Sequence, residues 1–390
     1  MPRGKMFVPI RVISEAPCGF VAEMFVQRRD MKNLKFNWMH LLLIAAPLAV
    51  VGEFAHWPPL AIFGLSCVAL IPLAGLIGES TEMLAERTGP RIGGLLNATL
   101  GNAAELIITV VAIREGLLDL VKASITGSIL GNLLLVLGAS LLLGGLKNGQ
   151  QKFDRARAGQ NSTMLLMALI ALSIPSLFSS AIGPETSTPV EVLSLGVAAC
   201  MILVYALGIF YAFNTPRTDT PLTRDSAEHG DRSHLWSVRK SVTVLGGATL
   251  AVVVLSEFLV GAVDPIVARF PFITEFFLGI VLIPIVGNVA EHIVGVQVAL
   301  KNQMDLSVEI SVGSSLQVAL FVAPVLVFVS LLFGAPYLTL HFNQFELIAM
   351  MAAAVIASLV SSDGETNWLE GAHLLVVYVM LALAFFFLPA

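Results

Sequence analysis

Long apolar runs alternate with short polar breaks along most of the chain. They fall at about 38–56, 59–86, 91–113, 120–145, 161–181, 189–213, 240–262, 272–300, 306–333, 343–361 and 369–388. A helix crosses a bilayer core with about 20 apolar residues, so these runs predict about eleven transmembrane helices. Strands are not expected, because an open sheet leaves backbone groups unpaired in lipid. The expected fold class is therefore all-α and polytopic. Residues 1–37 mix short apolar runs with Arg3, Lys5, Arg11, Arg28, Arg29, Lys32 and Lys35. They read as a mobile or interfacial amphipathic extension. No apolar core of about 7–15 residues ends there in a small-residue cleavage site, so a signal peptide is not expected. The polar stretch 214–239 carries Asp219, Asp225, Glu228 and Asp231 among Arg217, Arg224 and Arg232. Taken as a linker, it leaves a first helix, 38–58, and two blocks, 59–213 and 240–390, of five helices each. Five is odd, so the second block enters the membrane upside down. That is the inverted repeat of many secondary transporters.

Two stretches support the duplication directly. Gly101-Asn102-Ala103-Ala104-Glu105, then Asp119, then Gly127-Ser128 is matched by Gly287-Asn288-Val289-Ala290-Glu291, then Asp305, then Gly313-Ser314. The offset is 186 throughout, since 287 − 101, 305 − 119 and 313 − 127 agree. A repeat held without gaps over this span marks an internal duplication.

Composition agrees with membrane residence. The chain is 56% apolar and 13% charged, against about 25% charged in soluble domains. Three cysteines give neither a disulfide framework nor metal-ligand spacing. The charges that remain are sorted by side. With eleven helices, 19 of the 22 Lys and Arg fall on the N-terminal side, and only Arg114, Lys122 and Arg269 fall opposite. The positive-inside rule then predicts a cytoplasmic N-terminus and a C-terminus outside or in a lumen.

Each copy of the motif places a carboxylate, Glu105 or Glu291, inside an apolar run, where a charge is costly and usually functional. Asn102 and Asn288 lie three residues before them and share their helix face. Gly101, Gly287 and Pro284 loosen the helix and free backbone carbonyls. In the following helices Gly127, Ser128, Gly131 and Asn132 form a small polar stripe, answered by Gly313, Ser314 and Gln317. Asn132 and Gln317 are not equivalents, because the offset pairs Gln317 with Gly131. The candidate cation- and proton-binding set is thus Glu105, Glu291, Asn102, Asn288, Gln317, Asn132, Ser128 and Ser314, with the two glutamates as the metal-binding carboxylates. All are oxygen ligands, which suit a hard cation such as Ca²⁺. Two other readings stand beside this one: the glutamates merely hydrogen-bond neighbouring helices, and the Gly-Ser pairs merely allow close helix packing. Thr81-Glu82 echoes Ser256-Glu257 outside the gapless block. Glu82, Glu257, Glu79 and His292 are candidates for a proton or cation pathway; a solvated helix end, or for His292 a satisfied polar residue, is the plainer account.

At Gly101–Glu105, Gly127–Asn132, Gly287–His292 and Gly313–Gln317 the sequence resembles the cation/proton exchanger family, the calcium/proton branch of the calcium/cation antiporters. The resemblance runs from about residue 38 onward. It implies a first helix followed by two inverted five-helix repeats. It implies that Glu105 and Glu291 bind the cation, aided by Asn102, Asn288, Gln317 and nearby carbonyls. Family members often carry an acidic connection between halves, whereas 214–239 mixes signs. The first 36 residues have no clear family counterpart.

Two carboxylates facing one another in mid-membrane cannot both stay ionised and empty. Either Ca²⁺ or protons neutralise the pair, and exchange follows. The expected function is Ca²⁺/H⁺ antiport in an integral membrane protein, with bilayer lipid as its surroundings and no cofactor beyond the transported ions. Nucleic acid is not an expected partner. A homo-oligomer is left open, and a bacterial plasma membrane is favoured over a vacuolar one. Na⁺-coupled calcium exchange, Mn²⁺ or monovalent cation/proton exchange, and a passive cation channel are the rivals. An enzyme is not expected, since neither HExxH nor GxSxG occurs in the spans.

Overall fold

The computed structural model describes residues 41–88, 93, 96, 99–214 and 236–388. The expected N-terminal extension, the start of the first helix, most of 91–98 and most of the linker lie outside the described residues. The helices are α1 Ala45–Phe54, α2 Pro59–Thr88, α3 Ala103–Arg114, α4 Leu118–Asn148, α5 Arg155–Ile182 and α6 Thr188–Asn214. After the linker come α7 Val238–Arg269, α8 Glu275–Gly287, α9 Val289–Leu300, α10 Met304–Ser330, α11 Gln344–Val360 and α12 Trp368–Phe386. Among the described residues seven helices are long and apolar enough to cross a membrane, and α8 with α9 makes an eighth crossing bent by 58°. Helices α1 and α11 are shorter but apolar. The chain is therefore a helical membrane protein.

The offset read from sequence returns in the backbone. Helices α3 and α9 are each 12 residues long, and both of their ends are 186 residues apart. Helices α4 and α10 start 186 residues apart, at Leu118 and Met304. Both then widen into a π-helical segment, Gly131–Val136 and Val318–Val322. Packing is exchanged between the halves as a two-fold relation requires. Helix α3 packs on α10 while α9 packs on α4; α6 packs on α10 while α12 packs on α4; α5 packs on α10 while α11 packs on α4. Helices α4 and α10 form the centre, with 72% and 61% of their apolar windows buried in protein, against 17% and 22% for α6 and α12. The outer helices present Phe210, Leu207, Met380 and Leu383 outward. A surface this apolar belongs in lipid.

Glycine lets the centre close. At Gly127 of α4 a Cβ would sit 2.1 Å from the Ile280 carbonyl oxygen of α8, and at Gly371 of α12 one would sit 2.2 Å from the Leu142 nitrogen of α4. Without a hydrophobic drive between helices in lipid, such close backbone approach is a main source of association.

Polar residues collect at the two ends. At one end Gln151–Lys152 (β1) pairs antiparallel with Glu365–Thr366 (β2). There Gln151 Nε2 donates to Asn302 Oδ1 at 2.9 Å, and the Asp154 amide donates to Asp305 Oδ1 at 2.5 Å. At the other end Lys122 pairs with Asp119 at 2.6 Å and Glu185 at 2.9 Å, and Thr339 donates to Glu185 at 2.9 Å. Asp119 and Asp305 are equivalent positions of the repeat, and they lie in opposite belts. The halves are thus inverted with respect to one another.

Two expectations follow. With the N-terminus cytoplasmic, a cysteine at Lys152 reacts with an impermeant thiol reagent only from the cytoplasmic face, and one at Glu185 only from the opposite face; the reverse pattern contradicts the orientation. Gly127→Ala forces α4 off α8 and costs about 1–3 kcal/mol as an overpacked interface. Gly246→Ala, on an exposed face of α7, meets nothing within 4 Å among the described residues and is tolerated. Thermal unfolding of the two variants in detergent checks this, and equal midpoints contradict it.

Candidate cation site

The carboxylate helices both begin at a break in mid-protein. Chain geometry relaxes into turn at Gly101–Asn102 before α3 and at Asn288 between α8 and α9. Pro284 lies one helical turn before the second break, where it restricts the chain. Glu105 and Glu291 fall in the first turn of their helices. There the positive end of the helix dipole favours a negative charge.

Glu105 is 4% exposed. Ser128 Oγ donates a short hydrogen bond to its Oε1, and Asn288 Nδ2 of the other half donates to the same oxygen at 2.8 Å. The same amide lies 3.1 Å from Ser128 Oγ. At Gly287 a Cβ would be 3.3 Å from Glu105 Cγ, so the second break lies directly against the first carboxylate. Glu291 receives a short hydrogen bond from Ser314 Oγ. The two Glu–Ser pairs are equivalent, each 23 residues apart in sequence. Asn102 Nδ2 donates to Gln317 Oε1 at 2.8 Å, again across the halves.

What is left over is as informative. Glu105 Oε2 and Asn102 Oδ1 are buried with no donor among the described residues. A buried acceptor without a partner costs about 1–3 kcal/mol, more when charged. Two such oxygens suit a positive guest, either a cation or a proton on the carboxylate. Among the described residues no three His, Cys, Asp or Glu side chains converge, so the donor set is carboxylate, amide and hydroxyl oxygen.

The structure thus brings together Glu105, Ser128 and Asn288, Glu291 and Ser314, and Asn102 and Gln317. Asn132 does not join either hydrogen-bonded group. It is 1% exposed, in the π-helical segment of α4, with both amide atoms unpaired among the described residues. His292 is half-buried, and its Nε2 is likewise unpaired. The residues expected to form a pathway are separated. Glu79 and Glu82 lie exposed on α2, whereas Glu257 of α7 pairs with Arg114 at the end of α3. Sequence reading missed two buried polar links of α4: Lys122 to Glu185, and Thr126 Oγ1 to Glu346 Oε1 at 3.0 Å. Glu346 carried a local signal, because Asn343 three residues before it forms a reciprocal cap at the start of α11.

Inverted halves, broken helices and paired carboxylates at the break define an alternating-access transporter. The sodium/calcium exchanger protein family matches residues 58–214 and 240–387, and the chain belongs to that family. A Bacillus subtilis protein named Ca²⁺/H⁺ antiporter ChaA is 43% identical over 355 residues, covering 90% of this chain and all of that one. A Ca²⁺/H⁺ antiporter of Aphanothece halophytica is 41% identical, covering 89% of this chain and 96% of its own. The solved structure of native YfkE superposes with a TM-score of 0.78 at 41% identity, over 90% of this chain and all of that one.

Removing the cross-half donor tests the geometry. Asn288→Ala leaves Glu105 Oε1 with Ser128 as its remaining donor. Lost positioning groups at metal sites cost about 10–100-fold in affinity, and a loss of that size is expected in Ca²⁺ titrations of purified, folded protein. Wild-type affinity contradicts the placement.

Proposed function

We propose that the chain is a secondary antiporter that exchanges Ca²⁺ for H⁺ across a membrane. The observation that carries the reading is the buried, donor-free oxygen of Glu105, lying against the helix break that precedes Glu291, with Asn102 Oδ1 likewise buried and donor-free among the described residues. Named relatives of similar length bear a Ca²⁺/H⁺ antiporter name, and the chemistry of the donor set agrees. Ca²⁺ accepts six to eight oxygens in flexible geometry. Glu105, Glu291, Asn102, Asn288, Gln317, Ser128 and Ser314 supply side-chain oxygens. Carbonyls at the end of α8, which a helix C-terminus leaves unpaired, supply more. Asn132 and His292 serve at the margin of the site.

The exchange follows from charge. The empty dianion is the costly form, because burial and mutual repulsion both oppose it. One Ca²⁺ neutralises it, and so do protons. Loaded forms cross between the two access states, and the unloaded dianion is held back. Ca²⁺ and H⁺ then compete for one pair of carboxylates and move in opposite directions, driven by the steeper gradient. Residues 59–213 and 240–390 act as the inverted halves that rock against one another around the site, after a first helix at 38–58. The N-terminus and residues 214–239 face the cytoplasm, and the host is a bacterial plasma membrane. No resident cofactor takes part.

A proton gradient imposed on vesicles is expected to drive Ca²⁺ uptake, while a sodium gradient of equal size is not. The sodium gradient driving uptake instead would replace the proton reading by Na⁺-coupled exchange. Apparent Ca²⁺ affinity is expected to fall as pH falls, because protonation removes the anionic ligand. Glu105→Gln and Glu291→Gln keep the shape and remove the charge. Each is expected to abolish coupled uptake, with losses that do not add. Robust uptake by either variant would show its carboxylate to be structural.

A further inference from the structure

The two halves match in sequence but not in state. Asn288 reaches across and caps the Glu105–Ser128 pair. Its equivalent by the offset, Asn102, donates to Gln317 instead. Gln317 is the residue without a partner in the repeat, since the offset places Gly131 opposite it. The surroundings differ in the same sense. Glu105 is 4% exposed whereas Glu291 is half-buried.

We propose that Asn102 and Asn288 are exchanging caps, and that Gln317 is a positioning residue that selects between the two access states. In the state seen here Asn288 closes the first Glu–Ser pair, and Gln317 holds Asn102 away from the second. In the opposite state the inverted halves trade roles. Asn102 leaves Gln317 and closes Glu291–Ser314, and Asn288 withdraws from Glu105. Asn288 has no glutamine to receive it, because Gly131 offers no acceptor side chain. The opposite state therefore lacks one cross-half hydrogen bond that this state has. A net hydrogen bond contributes about 1 kcal/mol, which is about a fivefold preference for the present state when the site is empty.

The inference rests on the two-state exchange reading but concerns the empty protein, so it is measured without Ca²⁺ and without a gradient. Wild-type protein in detergent with chelator is followed by amide hydrogen exchange at 101–108 and 287–294. The second segment is expected to exchange faster than the first, in line with their burial. Gln317→Leu keeps the volume and removes the acceptor; Gln317→Gly restores the residue that the offset assigns. Both are expected to shrink the ratio of the two exchange rates by about fivefold, with the first segment gaining exchange as the second loses it. Asn102→Ala removes the donor of the same bond and is expected to lower the ratio as well. A ratio unchanged or raised in the folded variants overturns the proposal, and one folded variant suffices to decide. Ca²⁺ uptake by wild-type vesicles reports separately on the exchange reading. A failed latch with intact proton-driven uptake leaves that reading standing.

Discussion

A carboxylate inside an apolar membrane protein has to be neutralised, and two facing each other have to be neutralised together. Everything near Glu105 and Glu291 answers that constraint. Helix breaks put both groups at N-terminal turns, where the dipole favours negative charge. Ser128 and Asn288 donate to one oxygen of Glu105, and Ser314 donates to Glu291. That is too little for a buried charge, and Glu105 Oε2 is left without a donor among the described residues. A site finished by protein groups would be a structural ion pair. This one keeps an oxygen open among the described residues.

The scaffold makes that incompleteness movable. The packing of α3, α5 and α6 on α10 is matched by that of α9, α11 and α12 on α4, so one set of contacts recurs in both halves. Polar belts fasten the ends, through β1 with β2 at one and Lys122 with Glu185 at the other. Between them Gly127 lets α4 close tightly on α8. The two glutamates share a chemistry but not an environment, since Glu105 is buried and Glu291 half-buried.

Much of this was legible in the chain. The 186-residue offset foretold the matched bounds of α3 and α9, because local sequence sets where helices break and restart. The Lys/Arg asymmetry placed 149–154 and 301–305 at one end, and they meet there. The oxygen inventory around Glu105 was also visible, since apolar runs tolerate few polar residues without cause. Partner choice was not legible. That Asn288 serves Glu105 rather than its own half's Glu291, and that Asn102 serves Gln317, depends on how the halves approach in space. Nor was it legible that Asn132, on the same stripe as Ser128, is buried in the π-helical segment with both amide atoms unpaired among the described residues. The echo of Glu82 in Glu257 suggested one pathway, yet inversion leaves Glu257 with Arg114 at the end of α3 and Glu82 exposed on α2.

The central claim is that Ca²⁺ and protons occupy the same two carboxylates. Proton release on Ca²⁺ binding tests it most directly. Purified protein in weakly buffered detergent is titrated with Ca²⁺ while pH is recorded. The account predicts protons released in step with bound Ca²⁺ and a release that disappears in the Glu105→Gln, Glu291→Gln double variant. Saturable Ca²⁺ binding with no proton release, or the same release from the double variant, would contradict it.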